Sequence, residues 1–425
     1  MKKTLFWLIC LMLSATLLVA CGNDSNDVPE ETIDPLGSSI KTEAPATEAP
    51  EPPAETKAPT PVPSPDDYDF IQKFDAPEGN PRDIIMNYML EMAKVEWVAA
   101  ESWTTTWKVP GDFGVNLSYE KGKTYYGIPY SNTEAPLEEF LMFLPENKQF
   151  TPNSPYFEEL VGNHCSSSMV MAIQQVLNFT YSGSLKPTVY RQNDLMFPEG
   201  IEVPPPRDGG NNPDNWISET VFKHNGEDAI YKGYAQLDKG DILYKNIDGS
   251  GHDRFVNKVE PFYSATGKLM PGRSLVYCVE QTNAWFDNNK NTTWWIDKKY
   301  TFSQLYDTLF MPVTLCIYHE ENPVIEDAYI MMKGKNSPET IQKTLNGSVE
   351  STFPLSYVRI TLKDTNGNIV REAFEYGMDK SYKVNLRNYH YDLFDKLPAG
   401  TYTYNLRAGI ARGGCDIESF QFTVE

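Results

Sequence analysis

The sequence predicts an α+β domain followed by an all-β sandwich, and three observations carry that expectation. Apolar residues recur at helical spacing in two stretches, 84–95 and 164–178. Four strand-like runs, LDKGDILYKN, HDRFVNKVEPFY, SLVYCVEQT and MPVTLCIYH, lie between 237 and 319 and are separated by Gly, Asn and Asp. After Asn322-Pro323 the chain changes to short alternating strands. At 425 residues it is too long for one average core, so two folded domains plus non-globular parts are expected.

In chain order, Lys2 and Lys3 precede an apolar run over 5–18 and then Leu18-Val19-Ala20-Cys21. A charged start, a short apolar run and small residues read as a secretion signal over 1–20. The last four residues resemble the lipobox of bacterial lipoproteins, which implies that Cys21 carries a lipid. The expected location is therefore the extracytoplasmic face of the cell membrane, reached by an N-terminal lipid anchor rather than by a spanning helix. Residues 21–66 are rich in Pro, Thr, Glu and Ala and hold almost no large apolar side chains. Such a segment cannot bury enough surface to fold and reads as a semi-rigid tether.

The first folded domain is expected over 67–321. Asn80-Pro81 is a helix start, with Ile84, Ile85, Tyr88, Met89, Met92 and Val95 at helical spacing behind it. Trp97, Trp103 and Trp107 then lead into KGKTYYGIPYS, whose Tyr125, Tyr126 and Tyr130 are expected either to pack or to wall a substrate groove. A second helix is headed by Cys165, with Met169, Ile173, Val176 and Leu177 on one face. The loop-rich insertion at 185–216, which contains VPPPRDGGNNPDNW, reads as a lid or decoration. The antiparallel strands that follow are expected to pack on the Cys165 helix. Residues 322–425 carry DAYIMMK, YVRITLKD, SYKVNL, TYTYNLRAG and SFQFTV, the spacing of an immunoglobulin-like or fibronectin-like sandwich.

A formal net charge of -21, with no basic stripe, argues against nucleic acid as a partner. Of six cysteines, Cys10 leaves with the leader and Cys21 takes the lipid. Cys165, Cys278, Cys316 and Cys415 have neither paired nor regular spacing, so no zinc site, other metal site or disulfide framework is expected, and no cofactor. Cys278 and Cys316 sit in apolar runs that read as buried thiols. Cys165 sits among polar residues at a helix start, where unpaired amides and the helix dipole favour a thiolate.

A thiolate needs a base and a group that orients the base. His252, in GSGHDRFV, is the expected base, and Glu280, in LVYCVEQT, the expected orienter. Adjacent strand residues point to opposite faces, so Gln281 stands in reserve until the register is known. The helix start at Cys165 would supply oxyanion donors, with Asn163 and Ser166 as the neighbouring candidates.

The order of a helix-heading cysteine, GDIL, a Gly-His strand start and a strand with a polar residue resembles NlpC-like cell-wall cysteine peptidases of the papain-like fold. The resemblance implies a papain-like, NlpC-type domain in which Cys165 attacks an amide, His252 is its base and a third polar residue orients His252. It also implies peptidoglycan stem peptides as substrate. The family's Asp-Cys-Ser-Gly is His164-Cys165-Ser166-Ser167 here, and Arg254 stands where a small or apolar residue is usual, lining the groove or charging it. Those departures motivate two alternatives: a catalytically inactive wall-binding or adhesion lipoprotein, and a relative that transfers the acyl group.

Overall fold

The computed structural model describes residues 62–108, 116–179, 194–204, 217–247, 250–376 and 381–425. The expected leader, the lipidation site Cys21, nearly all of the tether and most of the 185–216 insertion lie outside the described residues.

From the N-terminus the elements are β1 (Phe70–Phe74), α1 (Pro81–Lys94), β2 (Glu96–Ala99), β3 (Trp103–Thr104), β4 (Ser118–Tyr119), β5 (Thr124–Tyr126), α2 (Leu137–Met142) and β6 (Gln149–Phe150). Next come α3 (Cys165–Ile173), β7 (Leu195–Met196), α4 (Ser218–Asn225), α5 (Glu227–Gln236), β8 (Ile242–Ile247), β9 (Ser250–Glu260) and β10 (Leu275–Gln281). After these lie β11 (Trp294–Thr301), α6 (Phe302–Asp307), β12 (Met311–Leu315), β13 (Ala328–Lys333), β14 (Ser348–Ser351) and β15 (Leu355–Lys363). The chain closes with β16 (Ile369–Tyr376), β17 (Lys383–Asn385), α7 (His390–Phe394), β18 (Gly400–Ile410) and β19 (Gly413–Val424).

This architecture corrects the expected α+β, papain-like fold. Strand makes up 35% of the described residues against 20% helix, and the strands form several antiparallel sheets. The physical reason lies in the first domain. Its aromatic segments, which show no long alternation, form strands only two to five residues long whose partners are distant in sequence. Among the described residues the helices are short, the longest being the 14 residues of α1. That helix starts as its sequence dictates: Asn80 Oδ1 accepts from the Arg82 amide, and Pro81 takes a position whose N–H has no helical partner.

The site-bearing sheet has six strands in the order β11-β10-β9-β8-β12-β7, each neighbour antiparallel. Helix α3 packs on β9 and β10, and α1 packs on α3. Toward the C-terminus, β1-β13-β14-β17 and β16-β15-β18-β19 form two four-stranded antiparallel sheets around one core that includes Ile330, Val349, Ile360, Leu362, Leu406 and Leu393. Strand β1 pairs with β13 over the register Phe70↔Met332 to Phe74↔Ala328. Phe70 and Phe74 pack against the C-terminal core, so this strand, read from sequence as the head of the 67–321 domain, is hydrogen-bonded into the sheet that follows it.

The two parts meet through named polar contacts. Arg407 of β18 pairs with Glu138 of α2, and Tyr357 Oη donates to Glu138 Oε2 at 2.9 Å. The carbonyl of Ala411, in the β18–β19 turn, accepts from Gln175 Nε2 at 2.8 Å and from Tyr88 Oη at 3.1 Å. Gln175 lies two residues past the end of α3, so the turn between β18 and β19 touches the far end of the helix that Cys165 heads.

Candidate active site

The segment ahead of Cys165 is held by the aromatic stretch that sequence reading offered as a groove wall. The amide of Asn163 donates to the Pro129 carbonyl at 3.1 Å, and the Ser131 amide donates back to the Asn163 carbonyl at 2.9 Å. Three donors converge one turn earlier. Trp97 Nε1 binds the Gly127 carbonyl, while Trp294 Nε1 and Gln281 Nε2 both bind that of Ile128, each at 2.9 Å. Gly127 has φ of +80°, and a Cβ there would lie 2.2 Å from the Trp294 ring, so only glycine fits.

The predicted groove residues are corrected accordingly. Tyr125 is buried against Trp97 with ring centroids 4.8 Å apart, and Tyr130 is buried and stacks on Phe157 at 5.6 Å. Both are packing residues. Tyr126 is 41% exposed. Gln281, spoken for by Ile128, is no orienter. Asn163 is no oxyanion donor, because its Nδ2 is turned to the Ala135 carbonyl at 3.1 Å.

Cys165, His252 and Glu280 come together. Helix α3 begins at Cys165 behind His164, whose amide donates to Ser167 Oγ at 2.8 Å and so closes the first turn. Strand β9 carries His252 and β10 carries Glu280; Val279 is paired with Phe255, which sets Glu280 beside Arg254, with His252 two residues away along β9. His252 Nε2 lies 2.5 Å from Glu280 Oε2. The imidazole also hydrogen-bonds the Cys165 thiol, and with Nε2 committed to the carboxylate, Nδ1 is the nitrogen left for sulfur. The Phe310 ring meets the imidazole edge to face at 6.1 Å.

The electrostatics follow from burial and partners. Burial pulls the His252 pKa down, but hydrogen bonds to Cys165 and Glu280 and their charges outweigh it and push the group up to about 9. For Glu280, burial pushes up, while the Arg254 charge, the His252 hydrogen bond and charge, and a hydrogen bond from Tyr300 hold it at about 2. Arg254 Nε donates to Glu280 Oε2 at 2.8 Å, and its guanidinium lies between the rings of Tyr300, 3.9 Å away, and Phe310, 3.8 Å away. Arg254 is therefore buried behind the carboxylate and does not line a groove.

Tyr300 and Phe310 were not found by sequence reasoning. They carry no motif, and their approach to Glu280 and Arg254 depends on the pairing of β10 with β11 and on the turn before β12. Burial pushes Cys278 well up, Cys316 to about 11 and Cys415 to about 12. Among the described residues no group of three or more His, Cys, Asp or Glu side chains is placed to hold a metal ion. Among them, too, no helix is long and apolar enough to cross a membrane.

What the arrangement can do chemically is defined: an imidazole with a thiol on one side and a buried carboxylate on the other can hold an imidazolium beside a thiolate, and can carry a proton to or from a group at sulfur. No family model matches the chain. No curated protein matches it either. Among solved structures, the chain is similar to the tetra-tandem repeat in the extending region of a large adhesion protein, at 15% identity and a TM-score of 0.17, covering 44% of this chain and 41% of that one. A likeness of that size carries no argument about fold or function.

Proposed function

We propose that the protein is a surface-anchored cysteine peptidase or amidase in which Cys165 is the nucleophile, His252 the acid and base, and Glu280 the orienting carboxylate. One observation carries this reading: His252 hydrogen-bonds both the Cys165 thiol and Glu280, 2.5 Å away. With His252 pushed up to about 9, the imidazole holds its proton at neutral pH, the state needed beside a thiolate.

The sulfur adds to the amide carbonyl carbon, and the developing oxyanion faces first-turn amides of α3, which have no helical acceptor. His252 gives its proton to the leaving amine as the C–N bond breaks, leaving a thioester. A water molecule then adds to the thioester carbon, passing a proton to His252, and the C–S bond breaks to release the acid. Arg254 and Tyr300 fix the two Glu280 oxygens throughout, so the carboxylate keeps the imidazole aimed at sulfur.

Peptidoglycan stem peptide as substrate, and a lipid-anchored position outside the membrane, rest on the NlpC-like order of segments and on the 1–21 leader pattern. Incubating purified protein with muropeptides and reading the products by mass spectrometry tests the whole reading. A new cleavage or transpeptidation product, absent with Cys165→Ser, is expected, and its mass separates hydrolysis from acyl transfer. Cys165 is only 1% exposed, and that burial favours a second reading, a wall-binding lipoprotein that keeps the arrangement without turnover. An unchanged muropeptide profile at high protein concentration, with binding to sacculi retained, would establish that second reading instead.

A further inference from the structure

The C-terminal sheets carry a polar groove that shares no residue with the Cys165 site. It lies along the edge strand β17, where Asn385 stands opposite Ser348 and Lys383 opposite Glu350, and it holds about 320 Å³. One wall is the 344–348 segment, and the other is formed by Lys383, Asn385 and Arg387. Among the described residues, neither an aromatic ring nor a carboxylate lines it. The walls are fixed from behind. Asn336, 3% exposed, clamps the backbone of Asn346, its Oδ1 accepting from the amide at 2.8 Å and its Nδ2 donating to the carbonyl at 3.2 Å. Glu418 holds Asn336 in turn, accepting from its amide at 2.9 Å and from Nδ2 at 2.8 Å. The Gly347 carbonyl accepts from the Leu386 amide at 3.1 Å and so ties one wall to the other.

What this pinned groove presents is donors. Asn385 Oδ1 accepts from the Arg387 amide at 3.1 Å, and Asn346 Oδ1 accepts from the Thr344 hydroxyl at 3.4 Å, which leaves both Nδ2 groups to donate. Glu350, the nearest carboxylate of the pair β14–β17, is occupied by Lys383 Nζ at 2.7 Å, Ser348 Oγ at 3.0 Å and Tyr68 Oη at 3.3 Å. That ion pair uses one of the three Lys383 ammonium protons. The Arg387 side chain is exposed, and among the described residues its guanidinium has neither an ion pair nor a hydrogen bond. On a chain of net charge -21, two cations and two amide donors thus face one groove with no carboxylate in its walls.

We propose that this groove binds the phosphate ester of a sugar or polyol. A phosphate presents oxygens in several directions and so matches donors arriving from two walls, whereas a carboxylate offers two oxygens in one plane. The Arg387 fork suits two of those oxygens, and Lys383 adds a point charge. The volume is at the small end of ligand pockets, which accommodates a phosphate with one sugar or polyol unit attached. Because no ring lines the groove, the organic part is held by hydrogen bonds rather than by stacking. The ester is either a free small molecule or one repeat of a phosphate-linked polymer, and the chemistry recognised is the same.

Calorimetric titration of the full-length protein tests this, with glycerol 3-phosphate as the free ester and a poly(glycerol phosphate) chain as the polymer. Binding of at least one is expected, weakening as salt rises because the groove is open to solvent. Arg387→Ala should weaken it by about tenfold or more, the loss expected when a charged hydrogen-bond donor is removed. Thr344→Glu sets a carboxylate on the opposite wall without removing any of the four donors, and it should abolish binding. The ratio of the two affinities assigns the source: equal values per phosphate favour the free ester, and a polymer that binds more tightly favours the repeat. Absence of binding by both ligands, or affinity unchanged in either variant, overturns the proposal. Glucuronate binding as tightly as glycerol 3-phosphate overturns the choice of phosphate over carboxylate. Cys165→Ser should bind as wild type does, so loss of the peptidase reading leaves this site standing.

Discussion

Glu280 is a carboxylate made useful by what it cannot escape. Burial alone would neutralise it, yet Arg254, His252 and Tyr300 keep it ionised, and Cys165 and Glu280 together keep His252 protonated. The pH dependence follows with a definite sign. His252 is raised from 6.5 to about 9, so its pairing contributes stability in full below 6.5, lost as pH rises through about 9. Glu280 is lowered from 4.5 to about 2, so its contribution is present above 4.5 and lost as pH falls through about 2. In Glu280→Gln the alkaline loss should flatten, and NMR titration of the imidazole should give a pKa below that of wild type. An imidazole titrating unchanged in this variant would refute the pairing. Arg254→Met strands the carboxylate and should cost about 3–5 kcal/mol, as breaking buried pairs does, read as a fall in the denaturant midpoint. At this scale the sequence disclosed Cys165 and His252 through residue type and local punctuation. It left Glu280 and Gln281 open, because neighbours on a strand differ only in which face they take, and it misjudged Arg254 because burial of a guanidinium depends on a carboxylate 26 residues away.

Elements around the site work by fixing where α3 starts. The 127–131 segment is pinned from behind by Trp97, Trp294 and Gln281 and bonds forward to Asn163, two residues before the nucleophile. Gly162 lies inside this contact, and a Cβ there would stand 2.3 Å from the Pro129 carbonyl oxygen. Gly162→Ala should therefore shift the strap and the helix start together. The expected outcome is about 1–3 kcal/mol of destabilisation, the range for overpacking, with a larger loss in Cys165 alkylation rate than the stability change explains. Equal rates in a folded Gly162→Ala protein would show that the strap does not position the sulfur. The start of α1 was legible at Asn80-Pro81 because a cap is a matter of three or four consecutive residues. The role of KGKTYYGIPYS was not, since its aromatic residues act through partners as distant as Trp294.

Across the whole molecule, α2 carries Glu138, which pairs with Arg407 of the C-terminal sheets, and beside it a buried carboxyl that is uncompensated. Glu139 of α2 is 0% exposed, and neither carboxyl oxygen has a hydrogen-bond partner. Burial, with the adjacent Glu138 charge, raises its pKa well above 4.5. A carboxyl raised in the folded state makes folding less favourable as pH climbs above 4.5, until the folded group itself ionises. Glu139→Gln should remove that slope, so its unfolding midpoint should exceed that of wild type most at alkaline pH and least below pH 4.5. Equal midpoints across the range would mean that Glu139 has an ionic partner in solution. By itself the sequence determined what short stretches can determine: helix starts at Asn80 and Cys165, strand alternation after 237, and a Cys and His of the right kind. Only the tertiary structure decided that strand outweighs helix, that β1 completes a sheet with β13 some 250 residues on, and that Glu280 rather than Gln281 meets the imidazole. Caps and periodicities are fixed by neighbours a few residues apart, whereas partner choice and register are fixed by contacts between segments that meet only once the chain has folded.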